Sequence, residues 1–359
     1  MTRARDFADL AGVADAGGLT GRNLVINGAA EVYQRGASAT AHNSYSVDRW
    51  QLKNTSGATC THQQATDSPA PFKNSVKYSA GGTSCTAAQV AGITQRMEGT
   101  CTLPLGWGTS AAKPCTLSFW VKSSVTGTYA VSTRNNDTDS SFVNTYTINS
   151  ANTWEYKTVT FSAQTAGTWL NTTGIGVRLW FDLGSGDNFN ADATGQWRSS
   201  ANYLTVSNQA DVVGTSGATW FVTGVQLELG EKATPFEHRS FGDELAACKR
   251  YFEKSFDVGT TPGVSDYNST ENWTVNADGS GNAVISPSFK VEKRAAPTMV
   301  AYQATGATGS WNYFRNGATG TGGVTFDRIG TNTTRCYTAI GANWASGSIF
   351  GHWTADAEL

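Results

Sequence analysis

Four histidines, His42, His62, His238 and His352, are the side chains best suited to move a proton near neutral pH, and each lies in a different segment of the chain. None stands in an H-E-x-x-H run or in a serine–histidine–acid order, and neither a G-x-S-x-G elbow nor a G-x-x-x-x-G-K-[ST] loop occurs. They read as structural or solvated histidines. Asp137, Asp139, Asp182 and Asp187 could supply the two carboxyl groups of a glycoside hydrolase, but 28 acidic residues offer such pairs by abundance alone. The run from Asp187 through Asn188 and Asn190 to Asp192 places oxygen ligands at alternate positions. In an EF-hand register Ala193 then falls where the turn requires glycine, and Ser199 where a bidentate glutamate belongs. That reading fails, and a polar loop is expected. No catalytic residue, cofactor or metal site is expected.

Cys60, Cys85, Cys101 and Cys115 are grouped, whereas Cys248 and Cys336 stand alone. No spacing matches C-x2-C or C-x4-C, so a structural zinc site is not indicated and free thiols are expected. The aromatic residues carry more information. Trp107, Trp169, Trp197, Trp273, Trp311 and Trp344 lie in or beside Gly/Asn/Ser/Thr-rich sequence. An indole plate there can stack on the C–H face of a sugar ring, with Asn, Asp and Thr serving its hydroxyls. The same residues can equally anchor loops against a sheet. Stacking on glycan is the functional expectation.

The elements that would position these plates follow from composition. Charged residues make up 15% of the chain, against roughly 25% in ordinary soluble domains, and 48 threonines and 39 glycines occupy the difference. Threonine and aromatic residues fit a pleated surface and glycine fits the turns between short strands. The class is all-β. A net charge of −2 without a Lys/Arg block excludes a protein built mainly to bind phosphate backbones, so no nucleic-acid partner is expected. No apolar run reaches the length of a membrane-spanning helix, so no membrane insertion is expected. The N-terminal charges are followed by no apolar core of a signal peptide, so export by that route is not expected.

Residues 1–22 differ from the rest: Phe7, Leu10 and Val13 are spaced by three beside Arg3 and Arg5, and Gly17-Gly18 ends the pattern. This suits a docking arm and a hinge. Residues 23–241 read as a β-sandwich of short strands. The alternation of Ile175, Val177, Leu179, Phe181 and Leu183 predicts the clearest of these, with others at 116–122, 154–161 and 202–206. Between Trp220 and Leu229 the apolar positions change from even to odd numbers, which predicts a β-bulge at Thr223-Gly224. Residues 242–256 predict a linking helix of three turns over 243–254, with Asp243 as cap and Leu245, Cys248 and Phe252 as its stripe. Residues 257–359 predict a smaller sandwich of six strands, at 284–291, 297–303, 310–315, 323–329, 335–340 and 348–359. A last strand needs a pairing partner in its own sheet or in a second subunit.

Three stretches resemble a known family. They run from Asn23-Leu24-Val25-Ile26-Asn27-Gly28 through Gln34-Arg35-Gly36 to Asp48-Arg49-Trp50, from Gly217 to Gly230 and on to Thr234-Pro235-Phe236-Glu237-His238-Arg239, and from Glu244 to Phe252. In this order, with Arg294-Ala295-Ala296-Pro297 and the segment from Phe350 to Leu359, they are similar to tail-fibre and related virion fibre proteins of tailed bacteriophages. Residues 23–241 also resemble jelly-roll carbohydrate-binding modules, whose closing strand reads D-D-V-x-L-E. Here that strand reads Thr223-Gly224-Val225-Gln226-Leu227-Glu228, so the paired aspartates that help hold a structural Ca²⁺ in those modules are missing. The resemblance implies a non-enzymatic fibre in the virion, assembled in the host cytoplasm as a homotrimer. It also implies docking to a tail or capsid protein through residues 1–22 and adhesion to host-surface glycan. A head fibre or decoration protein without host specificity, and a polysaccharide depolymerase, are the alternatives.

Overall fold

The computed structural model describes residues 21–137, 139–191, 193–199, 202–276, 281–315, 317–341 and 347–359. Arg3, Arg5, Phe7, Leu10, Val13 and Trp344 lie outside the described residues. The chain divides into two units. The first contains residues 21–31, Ser38–Phe241 and Leu359, and the second contains Val32–Ala37 and Gly242–Glu358.

Twelve strands form the first unit among the described residues. In chain order they are β1 (Ser38–Ala39), β2 (Gln51–Asn54), β3 (Thr61–Ala65), β4 (Ser75–Ser79), β5 (Ala91–Glu98) and β6 (Cys115–Ser123). There follow β7 (Gly127–Arg134), β8 (Ser140–Ile148), β9 (Glu155–Phe161), β10 (Ile175–Asp182), β11 (Gln196–Ser199) and β12 (Thr219–Leu229). They make two six-stranded antiparallel sheets, ordered β1-β3-β4-β12-β6-β9 and β11-β8-β7-β10-β5-β2, the layers of a jelly-roll sandwich. The expected strand at 202–206 is not formed; only Thr205 bridges to Asn190, and the loop carrying both lays Ala191 and Val206 against Ala130 and Val143.

The alternation in β10 is realised. Val177, Leu179 and Phe181 are buried in the sandwich core, and Val177 and Phe181 stand opposite Met97 and Ile93 of β5. The Phe181 ring lies 5.1 Å from Phe119, 5.4 Å from Trp220 and 6.2 Å from Trp50. Burial of each such side chain contributes on the order of 1.5–3 kcal/mol, so the aromatic centre is a main source of stability. The bulge in β12 is also realised: its register to β6 shifts between Thr223 and Gln226, and Gly224 has φ +60°. A Cβ there would come 2.5 Å from the Phe72 ring, so both the conformation and the space require glycine. The bulge turns the Val225 carbonyl to accept from Asn23 Nδ2 at 3.0 Å, while Asn23 Oδ1 accepts from the amides of Val25 and Leu227. Asn23, in the first of the family-like stretches, is thus a bracket for the closing strand.

The second unit carries α1 (Phe241–Lys249) and eight strands among the described residues: β13 (Phe252–Lys254), β14 (Glu271–Val275), β15 (Asn282–Ile285), β16 (Thr298–Tyr302), β17 (Ser310–Arg315), β18 (Ala318–Asp327), β19 (Arg335–Ala339) and β20 (Gly347–Asp356). β20 pairs with β13, β14, β16 and β17. The helix is shorter than the sequence predicts, because Phe252–Lys254 gains a strand partner in β20. The chain's exit from the helix is fixed by a fully buried ion pair. Lys293 Nζ donates to Glu253 Oε2 at 2.6 Å and to the carbonyls of Lys249 and Val291, while Glu253 accepts from the Lys290 amide. Every charged atom is thereby hydrogen-bonded, the condition under which a buried pair is tolerated. Burial draws the Lys293 pKa down, against the pull of Glu253.

Candidate functional site

The structure brings together three of the six candidate tryptophans. Trp107 lies between β5 and β6 after a short turn, Trp169 precedes β10, and Trp197 sits on the edge strand β11 opposite Phe142. Their ring centroids are 4.8 Å (Trp107–Trp169), 5.0 Å (Trp107–Trp197) and 5.7 Å (Trp169–Trp197) apart, all edge to face. Each indole N–H donates to a main-chain carbonyl: Trp107 to Lys113, Trp169 to Ala166 and Trp197 to Ser162, at 2.8–3.0 Å. Gly106 and Gly108, on either side of Trp107, both have positive φ, and a Cβ on Gly108 would come 2.8 Å from the Trp169 ring. The close approach of the two indoles therefore depends on that glycine.

Trp107 is 6% exposed and Trp169 and Trp197 are half-buried. Beside Trp107 and Trp169 opens a cleft of about 210 Å³, which Leu103, Thr109, Leu170 and Asn171 complete. Leu103 is among the exposed large apolar side chains. An aromatic edge, an apolar floor and a few hydroxyl and amide groups are the chemistry that a sugar ring meets in a binding cleft.

The other candidates belong to the second unit. Trp311 is 0% exposed, its N–H donates to the His352 carbonyl at 2.8 Å, and Trp273 stacks on it at 4.9 Å. Trp311 has no face left for a ligand, which corrects the expectation for that residue: β17 puts it on the core side of its sheet. Trp273 is half-buried in β14 and packs on the same core.

The acidic candidates hold turns. Asp182 is fully buried and accepts from Trp180 Nε1, the amides of Gly184 and Ser185, and Gln209. Burial raises its pKa, and those donors act against the rise. Asp139 receives Asn135 and the Thr168 amide, and Asp187 receives Asn190. Among the described residues no group of three or more His, Cys, Asp or Glu is arranged to hold a metal. His62 is buried with Nδ1 at 2.8 Å from Ser46 Oγ, and desolvation lowers its pKa to about 3, so it stays neutral. His352 stacks on Phe256 at 3.8 Å. Cys60, Cys85, Cys115 and Cys336 are free thiols, and burial pushes Cys85 and Cys336 up to about 12.

Sequence reasoning missed a second feature, on the other face of the sheet that contains β10. Arg178 of β10 stands directly opposite Arg96 of β5 on one side and Arg134 of β7 on the other. Directly opposite residues share a face, so three guanidinium groups form one row across three strands. Along the same register Arg134 faces Ser141 of β8, which faces Arg198 of β11. Lys53 of β2 stands opposite Gly92, on the same face four residues along β5 from Arg96, and Lys53, Thr94, Arg96, Arg134, Arg178 and Trp180 line one recess. Burial and then the neighbouring guanidinium groups bring Lys53 down to about 7, Arg134 to about 9 and Arg178 to about 10. The alternating pattern of β10 contained the signal, because Arg178 occupies the centre of its polar half.

No family model matches the chain and no curated protein matches it. Solved structures do. The enzymatically active domain of tailspike protein 4 from bacteriophage CBA120 is 14% identical over 58% of this chain and 21% of its own, with a TM-score of 0.32. A putative sugar binding protein from Bacteroides thetaiotaomicron is 13% identical over 58% of this chain and all of its own, with a TM-score of 0.35. The family 11 carbohydrate-binding module of a Clostridium thermocellum cellulosomal cellulase is 11% identical over 55% and 98%, with a TM-score of 0.29. The chain spans about a fifth of the tailspike chain. At these values nothing about ligand or activity passes from those proteins to this one.

Proposed function

We propose that this chain is a non-enzymatic virion fibre protein of a tailed bacteriophage that adheres to glycans on the host surface. The cleft beside Trp107 and Trp169 carries the glycan reading: it joins aromatic and apolar surface to hydroxyl and amide groups. The virion reading rests on the family-like stretches of the sequence. Single clefts of this size bind sugars weakly, and several copies on one particle gain avidity through effective concentration. Residues 1–22 dock the fibre, and the fibre is a homotrimer in this reading.

Binding of the purified chain to a panel of bacterial surface polysaccharides tests the proposal. Wild-type protein retains a subset of the panel without releasing reducing ends, and Trp169→Ala loses the neutral glycans among them. Release of reducing ends identifies a depolymerase and overturns the non-enzymatic reading. Light scattering at three times 38.0 kDa supports the trimer, and deletion of residues 1–22 leaves a folded chain that no longer joins particles. Normal incorporation of that deletion dismisses the docking arm.

A further inference from the structure

We infer that the arginine row across β5, β10 and β7 is a recognition site for acidic polysaccharide, taking a carboxylate, sulfate or phosphate substituent of the glycan. This rests on the glycan-adhesion reading and gives it a ligand class that the tryptophan cleft does not.

Like charges set directly opposite one another on a sheet destabilise it, so such a row is retained against a cost. Proteins ordinarily remove that cost with carboxylates. Here no Asp or Glu side chain pairs with Lys53, Arg96, Arg134 or Arg178 among the described residues. For three of them the partner is a neutral amide instead: Lys53 Nζ donates to Asn43 Oδ1, Arg134 to Asn202 Oδ1 and Arg178 Nη2 to Asn136 Oδ1 at 2.8 Å, while Arg96 donates to a main-chain oxygen of Leu359. Three asparagine amides thus orient three cations without neutralising them. Donor capacity is left over: the Nε atoms of Arg96, Arg178 and Arg198 are buried and without a hydrogen-bond partner. In the next row of the sheet, Ser132 Oγ and Gln51 Oε1 are likewise unpartnered. Planar guanidinium forks aligned side by side match the paired oxygens of an oxyanion.

The dimensions select the partner. Adjacent strands lie about 4.8 Å apart, so Arg96 to Arg134 spans about 10 Å, a short track compared with a nucleic-acid groove. The recess itself is only about 10 Å³, so an acidic group meets the guanidinium row at its mouth and the sugar ring stays outside. Single-stranded nucleic acid needs exposed aromatic platforms. The indole beside the row, Trp180, is 5% exposed and its N–H is given to Asp182.

The test measures binding of the full chain to immobilised polygalacturonate, dextran sulfate and a phosphate-bearing teichoic acid, with neutral dextran and duplex DNA beside them. At least one acidic polymer is expected to bind, with Arg178→Gln lowering its affinity about tenfold or more and Arg178→Lys restoring part of it. Lys77→Gln, which removes one positive charge from the other sheet, leaves that affinity in place. The binding weakens with salt, as a charge-driven contact must. The polymer that binds names the substituent. Equal retention of acidic polymers by wild type and Arg178→Gln overturns the inference while leaving adhesion through the tryptophan cleft intact. Binding of duplex DNA in preference to every polysaccharide overturns it in favour of a nucleic-acid surface. Failure of every polysaccharide, acidic and neutral, overturns both readings. A melting transition in Arg178→Gln no lower than that of the wild type shows that lost binding is not lost folding.

Discussion

The tryptophan cluster and the arginine row lie in one sandwich and solve opposite problems. In the first, each polar atom of the three indoles has a carbonyl partner and each ring edge meets a neighbouring ring. In the second, cations face cations and are held by uncharged amides. The cluster spends its chemistry on the fold and leaves one cleft open at its margin. The row keeps its chemistry unspent. Residue types suited to binding are therefore a weaker guide than the state of their hydrogen bonds.

Substitutions can break or sharpen this contrast. The largest effect is expected at Trp107, whose replacement by alanine removes a buried indole and costs about 3–5 kcal/mol in denaturant unfolding. A cost below about 1 kcal/mol would mean that the cluster is not part of the core. Trp169→Ala loses two edge-to-face contacts and is expected to cost about 1–2 kcal/mol, together with the neutral-glycan binding of the cleft. Arg178→Gln is expected to act with the opposite sign, stabilising the ligand-free protein by up to about 1 kcal/mol at low salt. A loss of stability there would show that the row is paired.

The smallest effect, after solvent screening, is a pH dependence from Lys53. Asn43 and His42 face it from its own side, and Arg96, Arg178 and Arg134 face it from β5, β10 and β7. Its folded pKa of about 7 lies below the unfolded value of about 10.4. Between those values the unfolded chain binds the extra proton, so stability rises as pH increases from 7 to 10. Thermal melts of wild type and Lys53→Met over this range check the sign; the increment disappears in the variant.

How much of this was legible differs between the same two regions. The core half of β10 was readable from its alternation, and so was the bulge at Gly224, because both are local patterns. Trp107, Trp169 and Trp197 were readable by type, yet their convergence depends on the connections after β5 and before β10 reaching the edge strand β11. The arginine row is a property of register: Arg96, Arg134 and Arg178 become neighbours only once β5, β10 and β7 are paired, and a slip of one residue would separate them onto two faces. Trp311 was misread for a related reason. Its strand is framed by Gly309 and Gly317 and looks like turn sequence, and only pairing with β18 and β20 shows it to be interior. The family-like stretches proved structural where the geometry could be followed, as with the Asn23 bracket and the Lys249 carbonyl that accepts from Lys293. They mark a scaffold, and the unpaired cations lie mainly in the intervals between them.

The pairing of β20 has a consequence in time. It follows every other strand of its unit in chain order, yet β13, β14, β16 and β17 all hydrogen-bond to it. During synthesis those four segments emerge from the ribosome first and wait with open edges until residues 347–356 arrive. Sheets closed by such distant partners form slowly and expose sticky edges meanwhile. The pairs β17–β18, β18–β19 and β15–β19 can close earlier, but the strands that β20 joins are brought together only when it emerges.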